Sequence, residues 1–161
     1  MSALKSTSFI LVTLVIGLFA SAALAQAPSY GPTVNLATAK KIAAGTLAEA
    51  QKNNWKVAVA IVDNHGMLIY YEMMDDTQTA SAVVAIDKAR SAAIYRRPTR
   101  VFEELVNKGG RPSVANLRDA SMLTGGLPIM VGGKTIGGVG VSGVTSDQDE
   151  QCAKAGLEAV K

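Results

Sequence analysis

Two segments of the chain carry the pattern of a strand, a tight turn and a returning strand. In the first, residues 56–63 (KVAVAIVD) are short and rich in β-branched side chains, a turn follows at residues 63–66, and the strand-like MLIYYEMM continues at once. In the second, residues 127–131 and 135–141 flank the turn Gly-Gly-Lys. Turns this short force their two strands to run antiparallel. The chain must therefore build an antiparallel sheet from two hairpins.

Helical periods surround these hairpins. Apolar residues recur every three to four positions from residue 36 to about 53, and again over residues 79–97 in an alanine-rich stretch. A proline ends this second helix, and Thr99 is placed to cap a short third one. Thr145 or Ser146 would begin a last helix near the C-terminus. Because helices and hairpins are grouped, the order predicts an α+β fold: an antiparallel β-sheet built from two hairpins and flanked by helices.

The first residues have the three parts of a secretory signal peptide. Lys5 precedes an uncharged apolar run over residues 9–20, and Ala23-Leu24-Ala25 supplies the small residues that a signal peptidase requires. A membrane anchor is the competing interpretation, because the run approaches the length that spans a bilayer. We expect residues 1–25 to be removed, leaving no stable membrane anchor and a periplasmic or secreted protein. Residues 26–161 then form a single domain of ordinary size.

Charge and cysteine content narrow the class of protein further. Lys and Arg number 16 against 13 Asp and Glu, a net charge of +3 that gives no reason to expect a nucleic-acid partner. Cys152 is the only cysteine, so no disulfide can form within the chain. We therefore expect stability to come from packing, helped by oligomerisation.

The stretch GVGVSG at residues 138–143 fits the dinucleotide-binding pattern G-x-G-x-x-G. That pattern has this meaning only where a helix opens from the glycines to hold a pyrophosphate. Here the glycines lie largely inside a strand that has just returned from a hairpin. We interpret them as positions where another backbone or a ligand approaches the strand closely.

The possible metal donors cluster around the first hairpin. His65 is the only histidine, which leaves no multi-histidine metal site but allows a single axial ligand to haem iron. A solvated turn residue is the alternative explanation of His65. Met73 and Met74 follow in the same segment, although methionines in a strand more often fill a core. Further possible donors there are Met67, Tyr70 and Tyr71.

Few arrangements for covalent or acid–base catalysis are open to this chain. Ser142 has no base to serve it, and Cys152 could pair with His65 only if the fold joined them. Asp147 and Glu150 lie three residues apart where the last helix begins. Negative charge there favours the helix dipole, which explains these carboxylates before catalysis or iron binding does.

Three blocks of the sequence together resemble the GlcG/HbpS-like family, which includes the C-terminal domain of PduO-type corrinoid adenosyltransferases. The blocks are VAIVDNHGMLIYYEMMD, ASAVVAIDKARSAAIYRRPT and GGLPIMVGGKTIGGVGVSGVTSDQDEQCAKAGLEAV. The last is the most specific, because it resembles the family's GGLPI strand, its IGxxGVSG strand and its QDE-led helix. The resemblance covers nearly all of residues 26–161.

The resemblance implies an α+β fold, a homo-oligomer that is often an octamer, and haem as a ligand. Haem in this family has been associated with a threonine, and Arg97-Pro98-Thr99 is similar to the family's R-P-T step. Thr99 is therefore a second candidate donor beside His65, with Arg97 near a propionate. Met73-Met74-Asp75-Asp76 departs from the family's R-M-D-G and lacks its arginine.

The sequence thus predicts an exported, homo-oligomeric haem-binding protein that acts in haem or iron storage, sensing or transfer. The predicted cofactor-binding residues are His65, Thr99, Arg97, Met73 and Met74, and His65 is the predicted metal ligand. The alternative is an enzyme that acts on a small organic or corrinoid-like ligand at a subunit interface through Asp75, Glu150 or Arg97. A ligand-free structural or partner-binding module is the third possibility.

Overall fold

A four-stranded antiparallel sheet forms the centre of the computed structural model, which describes residues 27–161. Its strands are β1 (Ala58–Asp63), β2 (Leu68–Met73), β3 (Gly126–Val131) and β4 (Lys134–Ser142). The strands lie in the order β2-β1-β4-β3, and every neighbouring pair is antiparallel. The two predicted hairpins are therefore joined through β1 and β4, which confirms the predicted α+β fold. The predicted signal peptide lies outside the described residues.

Within residues 27–161, four α-helices surround this sheet. They are α1 (Leu36–Lys52), α2 (Ser81–Tyr95), α3 (Arg100–Asn107) and α4 (Ser146–Glu158), and a short 3₁₀ helix (Pro112–Asn116) follows α3. α1 and α4 pack together over one face of the sheet, whereas α2 packs on the other face. In the described part of the chain, no helix has both the length and the apolar character needed to cross a membrane.

β1 runs through the middle of the molecule, and its side chains alternate between two cores. Val59 and Ile61 face α1 and α4, whereas Ala58, Ala60 and Val62 face α2. All five residues are fully buried. The alternation explains why this strand is apolar throughout, and its alanines leave room for a helix to approach the α2 side closely.

The glycines of β4 bring α2 into direct contact with the sheet. A Cβ on Gly140 would lie 2.1 Å from the carbonyl oxygen of Ala85, and one on Gly138 would lie 2.3 Å from that of Ala89. Any side chain at these positions would push α2 away from the sheet. The GVGVSG glycines thus admit a neighbouring backbone, as the sequence suggested.

The end of α2 sets the position of α3. Arg96 takes the left-handed conformation with φ of 54°, and Pro98 follows, so the helix stops at Tyr95. Thr99 occupies the N-cap position of α3 as predicted, but its side chain makes no capping hydrogen bond to the helix. Its hydroxyl instead accepts a hydrogen bond of 2.9 Å from the N–H of Gly126, because β3 begins beside it.

Candidate functional site

His65 lies in the turn of the β1–β2 hairpin, where the sequence predicted it. The Asp63 carboxylate shapes this turn by accepting hydrogen bonds of 2.8 Å from the backbone N–H groups of His65 and Met67. The His65 side chain is 81% exposed, and its Nδ1 lies 3.9 Å from the other carboxylate oxygen of Asp63. A carboxylate that accepts a hydrogen bond commonly orients a metal-binding imidazole, and at 3.9 Å Asp63 lies near His65 without making that bond. The turn therefore presents an accessible imidazole to solvent.

Met73 and Met74 diverge to opposite sides of the sheet. Met73 packs with the core beneath α2, where its Sδ accepts a hydrogen bond of 3.1 Å from the Tyr71 hydroxyl. Met74 packs against the core beneath α1 and α4. Both side chains are half-buried. In this arrangement the two thioethers cannot face one ligand together.

Arg97 and Thr99 have opposite environments although only Pro98 separates them. Arg97 is exposed, its Nε donates to the Tyr95 carbonyl at 3.1 Å, and its guanidinium lies 5.8 Å from the centroid of the Phe102 ring. Thr99 is fully buried, and its backbone N–H donates to the Gly126 carbonyl at 2.9 Å. Arg97 is thus open to an acidic group from solvent, whereas Thr99 would meet a ligand only if its pairing with β3 opened.

One subunit does not gather the five predicted residues at one point. No hydrogen bond or ion pair found over residues 27–161 joins any two of them, and four surface pockets found there are lined by other residues. The same part of the chain holds no group of three or more His, Cys, Asp or Glu able to bind a metal ion. A ligand that touched several of the five would need a second surface from outside the subunit. Their role stays a prediction.

The protein contains a buried charge pair that the sequence did not lead us to predict. Lys88 of α2 and Asp149 of α4 are each 2% exposed, and Nζ lies 2.8 Å from Oδ2. Nζ also donates to the Val141 carbonyl at 2.9 Å, and the other Asp149 oxygen accepts from the Val144 N–H at 3.2 Å. Burial raises the pKa of Asp149, an effect that Lys88 partly offsets. The pair links two helices that lie on opposite faces of the sheet.

The helical period contains a signal for this pair. Lys88 falls between Ala85 and Ala92 in the buried stripe of α2, and Asp149 stands three residues before Cys152 in the buried stripe of α4. A charge in such a stripe needs a buried partner. A buried lysine on one helix and a buried aspartate on another therefore predict an ion pair between the two helices.

Arg100, at the start of α3, binds the two carboxylates that open α4. Its Nε lies 2.6 Å from Glu150 Oε2, and its Nη2 lies 2.6 Å from Asp147 Oδ1. The hydrogen bonds to Asp147 and Glu150 raise the pKa of Arg100, and the same guanidinium lowers the pKa of Asp147. Glu150 also pairs with Lys154. The helix dipole is therefore only part of the explanation, because these carboxylates also tie α4 to α3.

Cys152 belongs to the core rather than to a reactive site. It is fully buried on α4, and burial raises the pKa of its thiol to about 12, with Asp149 and Glu49 adding to the effect. His65 lies on the exposed hairpin turn, so the Cys–His pair considered from the sequence does not form in this structure.

Comparison with known proteins places this fold in a family. Residues 34–158 match the family described as "Haem degrading protein HbpS-like". The chain belongs to this HbpS-like family. Protein GlcG of Escherichia coli (strain K12) is 46% identical over 101 residues, which is 63% of this chain and 74% of GlcG. An uncharacterized 15.0 kDa protein of Citrobacter freundii is 34% identical over 129 residues, 78% of this chain and 91% of its own length.

Solved structures of HbpS-like proteins share the fold described above. A double mutant of HbpS from Streptomyces reticuli gives a TM-score of 0.76 at 25% identity, covering 98% of this chain and 99% of that one. The crystal structure of a "PduOC:Heme Complex" gives a TM-score of 0.72 at 26% identity, covering 80% of this chain and 96% of that one. The family predicted from the sequence is thereby confirmed, and haem is present in the complex of one relative.

Proposed function

We propose that this HbpS-like chain is an exported, self-associating haem-binding protein that stores, senses or transfers haem or its iron. The observation that carries the proposal is the shared fold with a protein crystallised as a haem complex, over 80% of this chain. The family description, which names haem, supports the same ligand class.

The His65 turn fits the chemistry of a haem donor. Haem iron needs only one or two protein ligands, and an exposed imidazole beside a carboxylate can act as one without rearrangement of the subunit. His65 would ligate the iron, and Arg97, exposed beyond α2, would neutralise a propionate. Haem would supply the iron centre and its spectroscopic signature, and Met73, Met74 and Thr99 remain alternative donors.

A second subunit would complete such a site. An accessible donor on an exposed turn holds only one side of a planar macrocycle, whereas ligand sites usually bury most of the ligand. The predicted residues face different directions within one subunit. Self-association is therefore part of the proposal, with the octamer implied by the family resemblance as its expected form.

The family description favours haem degradation as a second candidate function. This reaction would need dioxygen and an electron donor from outside the chain. Of the groups considered for enzymatic chemistry, Glu150 is held by Arg100 and Lys154, whereas Asp75 is exposed. Of these two carboxylates, Asp75 is therefore the one open to a ligand from solvent.

A hemin titration of the purified protein tests the proposal. We expect a saturable shift of the Soret band, and no shift at several times the stoichiometric amount would refute haem binding. Ascorbate added in air to the complex then separates the two functions. A Soret band that persists supports storage, sensing or transfer, whereas its decay with release of iron supports degradation.

A further inference from the structure

α3 carries a broad apolar face, and the subunit covers only part of it. Phe102 is 2% exposed and packs edge-to-face on Tyr95, with 5.2 Å between the ring centroids. At about 100° per residue, Leu105 lies about 60° and Val101 about 100° from Phe102 around the helix axis. Both are only partly buried and line an open groove of about 390 Å³. An apolar stripe this wide on a helix normally faces a packing partner across its whole width.

Two opposite charges complete the wall of this groove. Glu104 and Lys108 line it beside Val101 and Leu105, with 3.7 Å between Oε1 and Nζ. Their side chains are 49% and 79% exposed, so each can reach a partner outside the helix. The acidic group lies one turn before the basic group. A second α3 running antiparallel would therefore place its Lys108 against Glu104 and its Glu104 against Lys108.

Exposed apolar side chains also lie on the segments that contact α3. The 3₁₀ helix packs against α3, and Leu117, which follows it, is 42% exposed. Leu123 is 48% exposed and precedes Thr124, whose N–H donates to the Glu103 carboxylate at 2.8 Å. Apolar surface with polar edges is typical of a protein interface.

We propose that α3 of one subunit packs antiparallel against α3 of a second copy across a two-fold axis. An isologous interface requires a surface that is complementary to itself, and the order Glu104 then Lys108 provides this complementarity. Val101 and Leu105 are buried at its centre. The inference extends the self-association in the proposed function and is independent of where haem binds.

Reversing one charge at a time tests this packing. In Glu104→Lys, lysines would face lysines across the axis, and in Lys108→Glu, glutamates would face glutamates. We expect each variant to weaken association on the order of tenfold, measured by sedimentation velocity over a range of protein concentrations. An equimolar mixture of the two variants should recover association, because the lysines of one protein then face the glutamates of the other across the axis.

The mixture separates the interface from the helix itself. Within each variant subunit, the side chains at positions 104 and 108 carry like charges, whether the variant is alone or in the mixture. Mixing therefore restores opposite charges only between subunits. Lys52→Glu and Glu158→Lys are matched controls, since these residues are 76% and 63% exposed and each pairs with a neighbour one turn away. Neither control should change the mass of the assembly.

The outcomes decide the proposal. Loss of association in each single variant and recovery in the mixture support it. Unchanged mass in the single variants, no recovery on mixing, or a wild-type protein that is monomeric throughout would overturn it and would leave the groove to another partner. Hemin titration of the same samples tests haem binding separately from the α3 interface. A Soret shift in samples whose association contradicts the interface would refute the interface and leave haem binding intact.

Discussion

The buried pair of Lys88 and Asp149 makes a quantitative prediction about stability. Asp149→Asn would leave a 2% exposed ammonium without its counter-charge. Removing one member of a buried ion pair costs about 3–5 kcal/mol of the free energy of unfolding. Each kcal/mol lowers Tm by roughly 3–4 °C for a domain of this size, so we expect a decrease of roughly 10–20 °C. Asparagine keeps an oxygen that can accept from the Val144 N–H. The lost free energy of unfolding therefore comes from the missing charge.

Urea unfolding at a fixed protein concentration measures this loss, with the fluorescence of Trp55, the only tryptophan, and circular dichroism as probes. The double variant Lys88→Met/Asp149→Asn buries no unpaired charge. It should therefore lose less stability than Asp149→Asn alone, which a double-mutant cycle quantifies. Glu158→Gln is the matched control at an exposed pair with Lys161, and it should cost less than about 1 kcal/mol.

Two results would show that Lys88 and Asp149 do not form a buried, coupled pair. One is a loss below about 1 kcal/mol in Asp149→Asn, because a solvated pair behaves in this way. The other is a double variant whose loss equals the sum of the two single losses, since independent sites are additive. Either result would mean that the pair is not a buried link between α2 and α4.

Three further predictions concern packing. Gly140→Ala should lower the free energy of unfolding by at least about 1–3 kcal/mol, because its Cβ would lie 2.1 Å from the Ala85 carbonyl oxygen. A variant as stable to urea as the wild-type protein would contradict this close approach. Cys152 should not react with Ellman's reagent at pH 8 until urea unfolds the protein, because burial raises the pKa of its thiol to about 12. Rapid labelling of the folded protein would instead place the thiol at the surface. Thr99→Val should cost about 1–3 kcal/mol by leaving the Gly126 N–H unpaired, and Thr99→Ser should restore most of it.

The fold could be predicted because its strongest signals are local. The turn at His65 and the Gly-Gly-Lys turn fix two antiparallel hairpins, periods of three to four residues mark α1 and α2, and the capping Thr145 marks the start of α4. The stretch between α3 and β3 has no clear period, and the structure forms only a short 3₁₀ helix there. Its conformation depends on packing against α3, which a local pattern does not encode.

The candidate site was less predictable because it depends on contacts between distant segments. Thr99 carries the signature of a helix cap, yet β3 competes for its hydroxyl through Gly126. Lys88 and Asp149 are 61 residues apart, and neither helix alone shows that they meet. Met73 and Met74 are adjacent in sequence, and the end of β2 sends them to different cores. Residue types indicated possible ligands, whereas the tertiary fold decides which are accessible.

Hemin titration of wild-type protein, His65→Ala and Met67→Ala tests whether the protein binds haem through His65. Met67 is a suitable control because it lies in the same turn and is 63% exposed. We expect saturable binding by all three proteins at equal assembly mass, with the absorption and electron paramagnetic resonance signature of a histidine ligand lost only in His65→Ala. An unchanged signature in His65→Ala would move the iron to another donor, and no saturable binding by the wild-type protein would refute haem binding.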